Sequence, residues 1–414
     1  MAQKTEKDLV GYLLKNYDRR IRPTKYWNSS MTITIQIHLY SLIDVDEVSE
    51  QLTLLLWIPQ SWKDEYLVWN EDEWEGISKI NIPAEYIWIP DGTIFNIVDV
   101  KEILSLSQTY ARITSHGQVE VDFNKLVSIR CPMDVRNFPF DLQFCKIQFG
   151  SWGFQLHQLT HNVKSAVIIP ETSENSEWQI ESFSSKKVQT AYESSQGDNI
   201  NEYEEIIYTI VLRRKPLYYI VVLLIPTYLI VSISIIGLFI PHSADGEREE
   251  KVSFGLTTLL TMTVVLGMVT GEMPKSSIGL PLLGQYVLIE TGVSIFAIIL
   301  SAVILICNER ALNHCKPPPV WIQGLFHANV KNRKDPLCQP LLTKEKDYQR
   351  SASDQLGLTF AIRTLIEYYD EQRERDFNKN LWHRLFAFVD LISMLILLIL
   401  NTFLTFYTFF PFIF

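Results

Sequence analysis

The spacing of apolar and polar residues changes character near Arg214. Before it, the runs MTITIQIHLYSLI, QLTLLLWI, EYIWIP, QVEVDF, LQFCKIQF and IIYTIVLRR alternate with a period of two and are rich in β-branched and aromatic residues. Such runs predict strands with one buried face. The turns spaced between them predict a β-sandwich of roughly 200 residues. No helical crossover separates the runs, which argues against a parallel α/β sheet. Residues 4–18 place Leu9, Tyr12, Leu13 and Tyr17 on one side and predict a short amphipathic helix. From Leu217 onward four apolar segments are long enough to cross a bilayer, which takes about 20 residues. They are 217–240, 250–274, 282–307 and 385–410. Between the last two, 308–382 is polar and turns helical near Asp354, with Ala361, Leu365, Tyr368 and Tyr369 leading into the final segment.

The second of these segments, EKVSFGLTTLLTMTVVLGMVTGEMP, is too polar for a helix that meets only lipid. Ser253, Thr257, Leu260, Val264 and Met268 follow one another in steps of four, three, four and four, so a helix puts them on one face. Glu247, Glu249 and Glu250 stand at one end and Glu272 near the other. Small hydroxyls with carboxylates at both mouths suit a water-filled pathway for cations. The same pattern also fits an ordinary buried helix whose threonines bond back to their own carbonyls. In the third segment Glu290 is costly unless paired or hydrated, and it is expected to face other helices or a crevice.

Composition sharpens this picture in a few places. The chain has 414 residues and a net charge of −10, which argues against nucleic acid as partner. Five cysteines are too few for a fold built on disulfides. The start, MAQKTEKDLV, has no apolar signal core, so an outside N-terminal domain implies a leader already removed. Asn28-Ser29-Ser30 is a glycosylation sequon, meaningful if this part is extracellular. His157 and His161 lie four apart in a strand context, which is not a metal-site pattern. Neither a phosphate-binding loop nor a dinucleotide fingerprint is present, so no enzyme, cofactor or metal is expected.

CPMDVRNFPFDLQFC holds thirteen residues between Cys131 and Cys145, around a Phe138-Pro139-Phe140 centre. Trp88-Ile89-Pro90-Asp91, FGSW ending at Trp152, a first membrane segment with Pro226 and the hydroxyl-bearing helix follow in a set order. Together they resemble the Cys-loop pentameric ligand-gated ion channels over essentially the whole chain, most closely the animal nicotinic and serotonin-gated cation channels. The resemblance implies a Cys131–Cys145 disulfide and four parts. These are an extracellular ligand-binding β-sandwich with N-terminal helix (1–214), three transmembrane helices (215–307), an intracellular segment with an amphipathic helix (308–382), and a fourth transmembrane helix (383–414). It implies a pentamer of identical or homologous subunits in the plasma membrane, at a postsynaptic site, with both the N-terminal domain and the C-terminus outside.

The same resemblance supplies site residues. Phe95, Trp152, Tyr192 and Tyr203 match aromatics of the principal ligand face, and Trp57 matches the main aromatic of the complementary face. Such rings bind an ammonium by cation–π attraction, each good contact worth roughly 0.5–2 kcal/mol; aromatic residues of this kind also commonly fill a sandwich core. Glu47 matches the acid that the family pairs with the arginine at Arg214, and Phe138, Pro139 and Phe140 would rest on the linker 275–281 as a coupling zone. Glu250 before Lys251 matches the cation-channel pattern, and Leu260 the hydrophobic gate. Asp390 matches an acid of the fourth helix. Departures stand beside these matches. Ser194 and Ser195 replace the adjacent cysteines of nicotinic principal subunits, and the capping hairpin is longer, with Gly197, Asp198 and Asn199 at its tip. Arg112, Glu120 and Asp122 make the complementary strands more charged than usual. These departures count against acetylcholine itself and fit a small cationic ligand, amine or choline-like, without identifying it. The expected function is a ligand-gated channel for monovalent cations, with a non-conducting subunit that needs partners as the alternative.

Overall fold

The computed structural model describes residues 5–169, 175–193, 200–240, 247–271, 279–314 and 354–413. The chain divides into two compact units, Met1–Val222 with Met268–Gln285, and Leu223–Gly267 with Tyr286–Phe414.

The first unit is a β-sandwich capped by a helix. Helix α1 (Glu6–Leu14) starts at Thr5, whose hydroxyl accepts from the Asp8 amide while Asp8 returns to the Thr5 amide. This reciprocal cap satisfies donors that a helix start leaves unpaired. The cap fixes the start at Glu6, and the helix ends at Leu14, so α1 is shorter than the 4–18 expected. Among the described residues thirteen strands follow: β1 (Met31–Ile35), β2 (His38–Asp46), β3 (Gln51–Lys63), β4 (Lys79–Pro83), β5 (Gly92–Ile94), β6 (Ile97–Glu102), β7 (Tyr110–Thr114), β8 (Gln118–Arg130), β9 (Leu142–Ser151), β10 (Leu159–Val163), β11 (Val167–Ile168), β12 (Trp178–Glu193) and β13 (Ile200–Arg214). One sheet runs β10-β1-β3-β8-β7-β4, with β2 on β3 and β6 on β8; the other runs β12-β13-β9-β5. The first run in the sequence is therefore two strands, β1 and β2. EYIWIP, expected as a strand, is not one. A short 3₁₀ turn takes Ala84–Tyr86, and extended pairing does not resume until Gly92. The prolines that bracket this run, Pro83 and Pro90, lack the amide hydrogens a ladder needs.

Alternation along β3 is strict, every second residue from Leu52 to Trp62 being buried. The inward apolar residues of β3 and β8 are buried, as are Cys145, Ile147 and Phe149 of β9 and Ile206, Tyr208, Ile210 and Leu212 of β13. A fully buried side chain of this size contributes about 1.5–3 kcal/mol. A second apolar cluster gathers Leu9 and Leu13 of α1 with Trp62, Trp69, Trp74 and Trp88. Cys131 and Cys145 are joined in a disulfide and are both buried. In the chain-entropy model, closing so short a loop stabilises by about 3 kcal/mol.

The second unit is helical, and among the described residues four helices are long and apolar enough to cross a membrane. Helix α2 (Leu217–Phe239) has a π-helical stretch at Ile220–Leu224, just before Pro226. A proline cannot donate to the turn behind it, and the wider π spacing absorbs that loss locally. Helix α3 is Glu247–Gly271, α4 is Leu282–His314 and α5 is Asp354–Ile413. The amphipathic stretch and the last membrane segment are thus one continuous helix. Hydroxyl and amide contacts tie the helices of this unit together. Ser234 meets Thr258 at 2.9 Å, and Tyr228 meets Thr402 at 3.1 Å. Glu290 is fully buried; it accepts from the Thr405 hydroxyl at 3.0 Å, and the Asn401 amide nitrogen, oriented to donate, lies 2.6 and 3.1 Å from its two oxygens. Glu290 therefore faces another helix and is paired, as its cost in an apolar segment requires. Asp390 is buried as well.

Two glycines give a direct check on the sandwich. Gly117 has φ +79°, and a Cβ there would lie 2.3 Å from the Asp64 carbonyl oxygen. Gly11 sits in α1 with open space around it. Gly117→Ala should cost about 1–3 kcal/mol, whereas Gly11→Ala should be stabilising by up to about 1 kcal/mol. Thermal unfolding of the two purified variants would show the midpoint moving in opposite directions.

Candidate functional site

The five aromatics singled out by sequence are not core residues. Among the tryptophans, Trp62, Trp69, Trp74, Trp88 and Trp178 are buried, while Trp152 is 75% exposed. Tyr192 is exposed, and Trp57, Phe95 and Tyr203 are partly exposed. They form two tight pairs. Phe95 and Trp152 have ring centroids 5.9 Å apart at an interplanar angle of 55°, and Tyr192 and Tyr203 also lie 5.9 Å apart, edge to face. β13 pairs with β9 as far as Glu205 and Gly150, two residues short of Tyr203 and of Trp152. The loop carrying Trp152 is pinned by Asp91, which accepts from the Ser151 hydroxyl at 2.7 Å and from the Gly153 amide at 2.6 Å. Tyr192 donates to Glu205 at 2.6 Å, which orients its ring on the hairpin. Ser194, Ser195 and the tip residues Gly197, Asp198 and Asn199 lie outside the described residues.

Trp57 lies on a different sheet. His38 of β2 stacks on it with centroids 4.4 Å apart, and its indole N–H donates to Asp122 at 3.3 Å. Arg112 pairs with Asp122 at 3.0 Å and with Glu120 at 3.5 Å. One chain therefore carries two aromatic pairs, Phe95 with Trp152 and Tyr192 with Tyr203, and separately Trp57 among charges.

Of the residues expected to form a coupling zone, Glu47 and Phe138 lie against Arg214, which is only 2% exposed. Its Nε donates to Asp141 at 2.9 Å, and its Nη1 donates to Glu177. Glu47 Oε1 lies 2.7 Å from Nη1 as an ion pair, though without hydrogen-bond geometry. The guanidinium also lies 4.1 Å from the Trp178 ring centroid and 4.7 Å from that of Phe138. Burial acts to lower the Arg214 pKa, but Asp141 and then Glu47 outweigh it and raise it. Burial pushes the Glu47 carboxyl up, against the pull of Arg214. This is a buried charge cluster, so the alternative of a weak surface pair does not describe it. The loop that holds Phe138, Pro139 and Phe140 meets the start of α4. The Leu282 amide donates to the Arg136 carbonyl at 2.9 Å and the Leu283 amide to the Phe138 carbonyl at 3.3 Å. These bonds fall at the end of the expected linker; residues 272–278 lie outside the described ones.

On α3, Ser253, Thr257, Leu260, Val264 and Met268 are all exposed, Leu260 at 67%. The opposite side is packed: Gly255, Thr258, Met262 and Val269 are buried. A Cβ on Gly255 would come within 2.9 Å of Ile298 of α4, so α3 and α4 meet closely there. Thr257 also donates to the Ser253 carbonyl at 2.9 Å. The back-bonding expected of a buried helix and the exposed hydroxyl face therefore occur on the same residues. The side chains of Glu247, Glu249, Glu250 and Glu272 lie outside the described set.

Several residues here were not foreseen. Asp141 and Glu177 share Arg214 with Glu47; Asp141 follows Phe140 directly, while nothing in the sequence marks Glu177. His161 is buried against Glu204, whose carboxylate also meets Lys187 at 2.7 Å and accepts from the His161 amide. This explains His161 without a metal. Among the described residues, no three His, Cys, Asp or Glu side chains are placed to hold one. Asn28 is exposed.

The architecture, a disulfide-bearing β-sandwich followed by four helices of membrane-spanning character, is that of a multi-pass membrane receptor. Residues 6–216 match the neurotransmitter-gated ion-channel ligand binding domain, and residues 223–336 match the neurotransmitter-gated ion-channel transmembrane region. The chain belongs to the neurotransmitter-gated ion-channel family, a family of channels and not of enzymes. It is similar to acetylcholine receptor subunit alpha-type des-2 of Caenorhabditis elegans, 34% identical over 74% of this chain and 56% of the relative. It is 31% identical to proton-gated ion channel subunit pbo-6 of the same organism, over 78% of this chain and 75% of the relative. It is also 31% identical to 5-hydroxytryptamine receptor 3A of Cavia porcellus, over 78% of this chain and 64% of the relative.

Two outcomes test the buried charges. Arg214→Gln strands several carboxylates and should cost about 3–5 kcal/mol, read as a lower unfolding midpoint and a matching loss of surface protein. Glu204 is pushed up by burial, but the hydrogen bonds from His161 and Lys187 prevail and hold it below the usual 4.5. Its folded-state pKa is thus depressed, so its stabilisation is present above about pH 4.5 and lost as pH falls through the lower folded value. Lys187→Met should flatten that acid dependence, seen by unfolding the two proteins across pH 3–6.

Proposed function

We propose that the chain is a subunit of a neurotransmitter-type, ligand-gated cation channel. Five subunits surround a pore lined by α3, and a small cationic amine or choline-like ligand binds between the four-ring face of one subunit and the Trp57 face of the next. Both faces occur on one chain, so identical subunits suffice, with homologous ones equally able to pair. The channel resides in the plasma membrane, with the sandwich and the C-terminus outside and Asn28 available for glycosylation.

The observation that carries this reading is the division of α3. Its hydroxyl and apolar stripe is open, from Ser253 to Met268, while the reverse side is packed against its own chain. A lone surface helix in a bilayer would turn its threonines inward; here Thr257 and Thr261 are outward and Thr258 inward. Five such stripes would form a pathway with hydroxyls at one level and a leucine constriction at the next, which closes by dewetting. A ring from Glu250 would add a carboxylate mouth that concentrates cations and repels chloride. At Arg214, the loop with Phe138, Pro139 and Phe140, the turn with Glu47 and the chain entering α2 share one charge cluster. Ligand binding shifts the pore only if it favours one arrangement of such a contact over another.

A non-conducting subunit remains the competing reading. Expression of the chain alone, with current recording, separates the two. Sodium and potassium currents with reversal potentials insensitive to chloride are expected, and Glu250→Ala should weaken that selectivity. Trp152→Ala should raise the half-activating concentration by tenfold or more without a comparable fall in surface protein. Currents that track chloride would overturn the selectivity.

A further inference from the structure

The Trp57 face carries more chemistry than an ammonium-binding ring requires. Strand alternation decides which side chains share it. On β3, Trp57 and Pro59 point outward between the buried Leu56, Ile58 and Gln60. On β8, Glu120 and Asp122 point outward between Val119 and Val121. On β7, Arg112 points outward between Ala111 and Ile113. Register brings them together: Pro59 pairs with Asp122, and Arg112 pairs with Glu120. The contacts follow from this placement, with Asp122 held between the Trp57 indole N–H at 3.3 Å and Arg112 at 3.0 Å, and Glu120 at 3.5 Å on the far side of the guanidinium.

The charges do not cancel. Two carboxylates share one guanidinium, so the trio leaves one negative charge beside Trp57. His38, stacked on that ring, does not offset it: burial lowers its pKa, with Asp122 opposing. The pairs are also open to exchange. Arg112 and Glu120 side chains are 56% and 52% exposed, and an exposed pair of this kind is worth only about 0–1 kcal/mol. A ligand group that donates hydrogen bonds and carries positive charge can therefore take over a carboxylate at little cost. A saturated alkyl or acetyl end would instead cover these carboxylates without bonding them, which is unfavourable.

Resting on the two-face reading above, we propose that Arg112, Glu120 and Asp122 select a ligand with two donor-bearing ends. An ammonium head occupies the rings of Phe95, Trp152, Tyr192 and Tyr203, and a second ammonium or amidinium engages Asp122 and Glu120 beside Trp57. The ligand class is a diamine rather than a choline ester.

The test uses the full-length assembled protein in detergent and calorimetric titration with two matched series, α,ω-diamines of three to six carbons and n-alkylmonoamines of the same lengths. In the parent, the best diamine should bind at least tenfold more tightly than its monoamine. Glu120→Gln and Asp122→Asn together should reduce that ratio to below threefold; the ratio cancels any general effect on Trp57. Glu120→Gln alone touches no ring and should reduce it partway. Arg112→Leu should raise the ratio, because it frees both carboxylates, whereas a purely structural role would lower affinity for both series alike. Equal affinities in the parent, or a ratio unchanged by the double variant, would overturn the proposal. Trp152→Ala tests the underlying site separately: it should weaken both series, and monoamine binding unaffected by it would overturn the aromatic-face reading itself.

Discussion

A buried guanidinium is the constraint on which the sandwich's far end depends. Arg214 closes β13, and its charge has to be met because it is removed from water. Meeting it draws in Glu47 from the turn after β2, Asp141 from the disulfide-closed loop and Glu177 before β12. Trp178 and Phe138 cover what remains. Four segments distant in sequence are therefore held at one point, immediately before the chain enters α2. The same loop receives the first amides of α4. A cluster of this kind has few arrangements that satisfy all its members. A discrete rather than graded response to movement at any one segment is what such packing favours.

Strand alternation separates stability from recognition. The inward residues of β3, β8, β9 and β13 are mainly apolar, with Gln60, Gln143, Glu204 and Arg214 buried among them, and they leave the outward positions free to differ. Those positions hold Trp57, Asp122, Glu120 and Arg112 on one sheet, and Tyr203 on the other. The exposed Trp152 belongs to a loop and is held by Asp91, so its display does not cost the core an anchor. Helix α3 repeats the division with a helical period: small or apolar residues pack inward at Gly255, Thr258 and Met262, while the stripe from Ser253 to Met268 is exposed.

Much of this was legible in the sequence because periodicity reports burial directly. The period of two marked six of the thirteen strands, β1, β2, β3, β8, β9 and β13, and missed the other short strands and the long β12; the steps along α3 marked its exposed stripe. The disulfide loop was legible only through the family resemblance carried by Cys131, Cys145 and the Phe138-Pro139-Phe140 centre. What failed has local causes. EYIWIP alternates like a strand, but its bracketing prolines and the 3₁₀ turn at Ala84–Tyr86 take it out of the ladder. The π stretch before Pro226 depends on how the helix accommodates a missing donor, which periodicity does not encode. Glu177, Glu204 and Lys187 look like ordinary surface charges in sequence; only the meeting of strands far apart in the chain reveals that they neutralise Arg214 or flank His161. Thr405 and Asn401 are likewise unremarkable until α5 lies beside α4 and Glu290.

The central claim, that the exposed stripe of α3 lines an ion pathway opened by ligand at the aromatic faces, is tested most directly by cysteine accessibility. In a background lacking Cys307, Cys315 and Cys338, single cysteines replace Thr257, Leu260 or Val264 on the stripe, and Thr258 or Met262 on the packed side. A small cationic methanethiosulfonate reagent is applied with and without agonist while current is recorded. The account predicts block at Thr257→Cys, Leu260→Cys and Val264→Cys, faster with agonist than without, and little change at Thr258→Cys or Met262→Cys. Block confined to the packed side, or rates on the stripe indifferent to agonist, would contradict it.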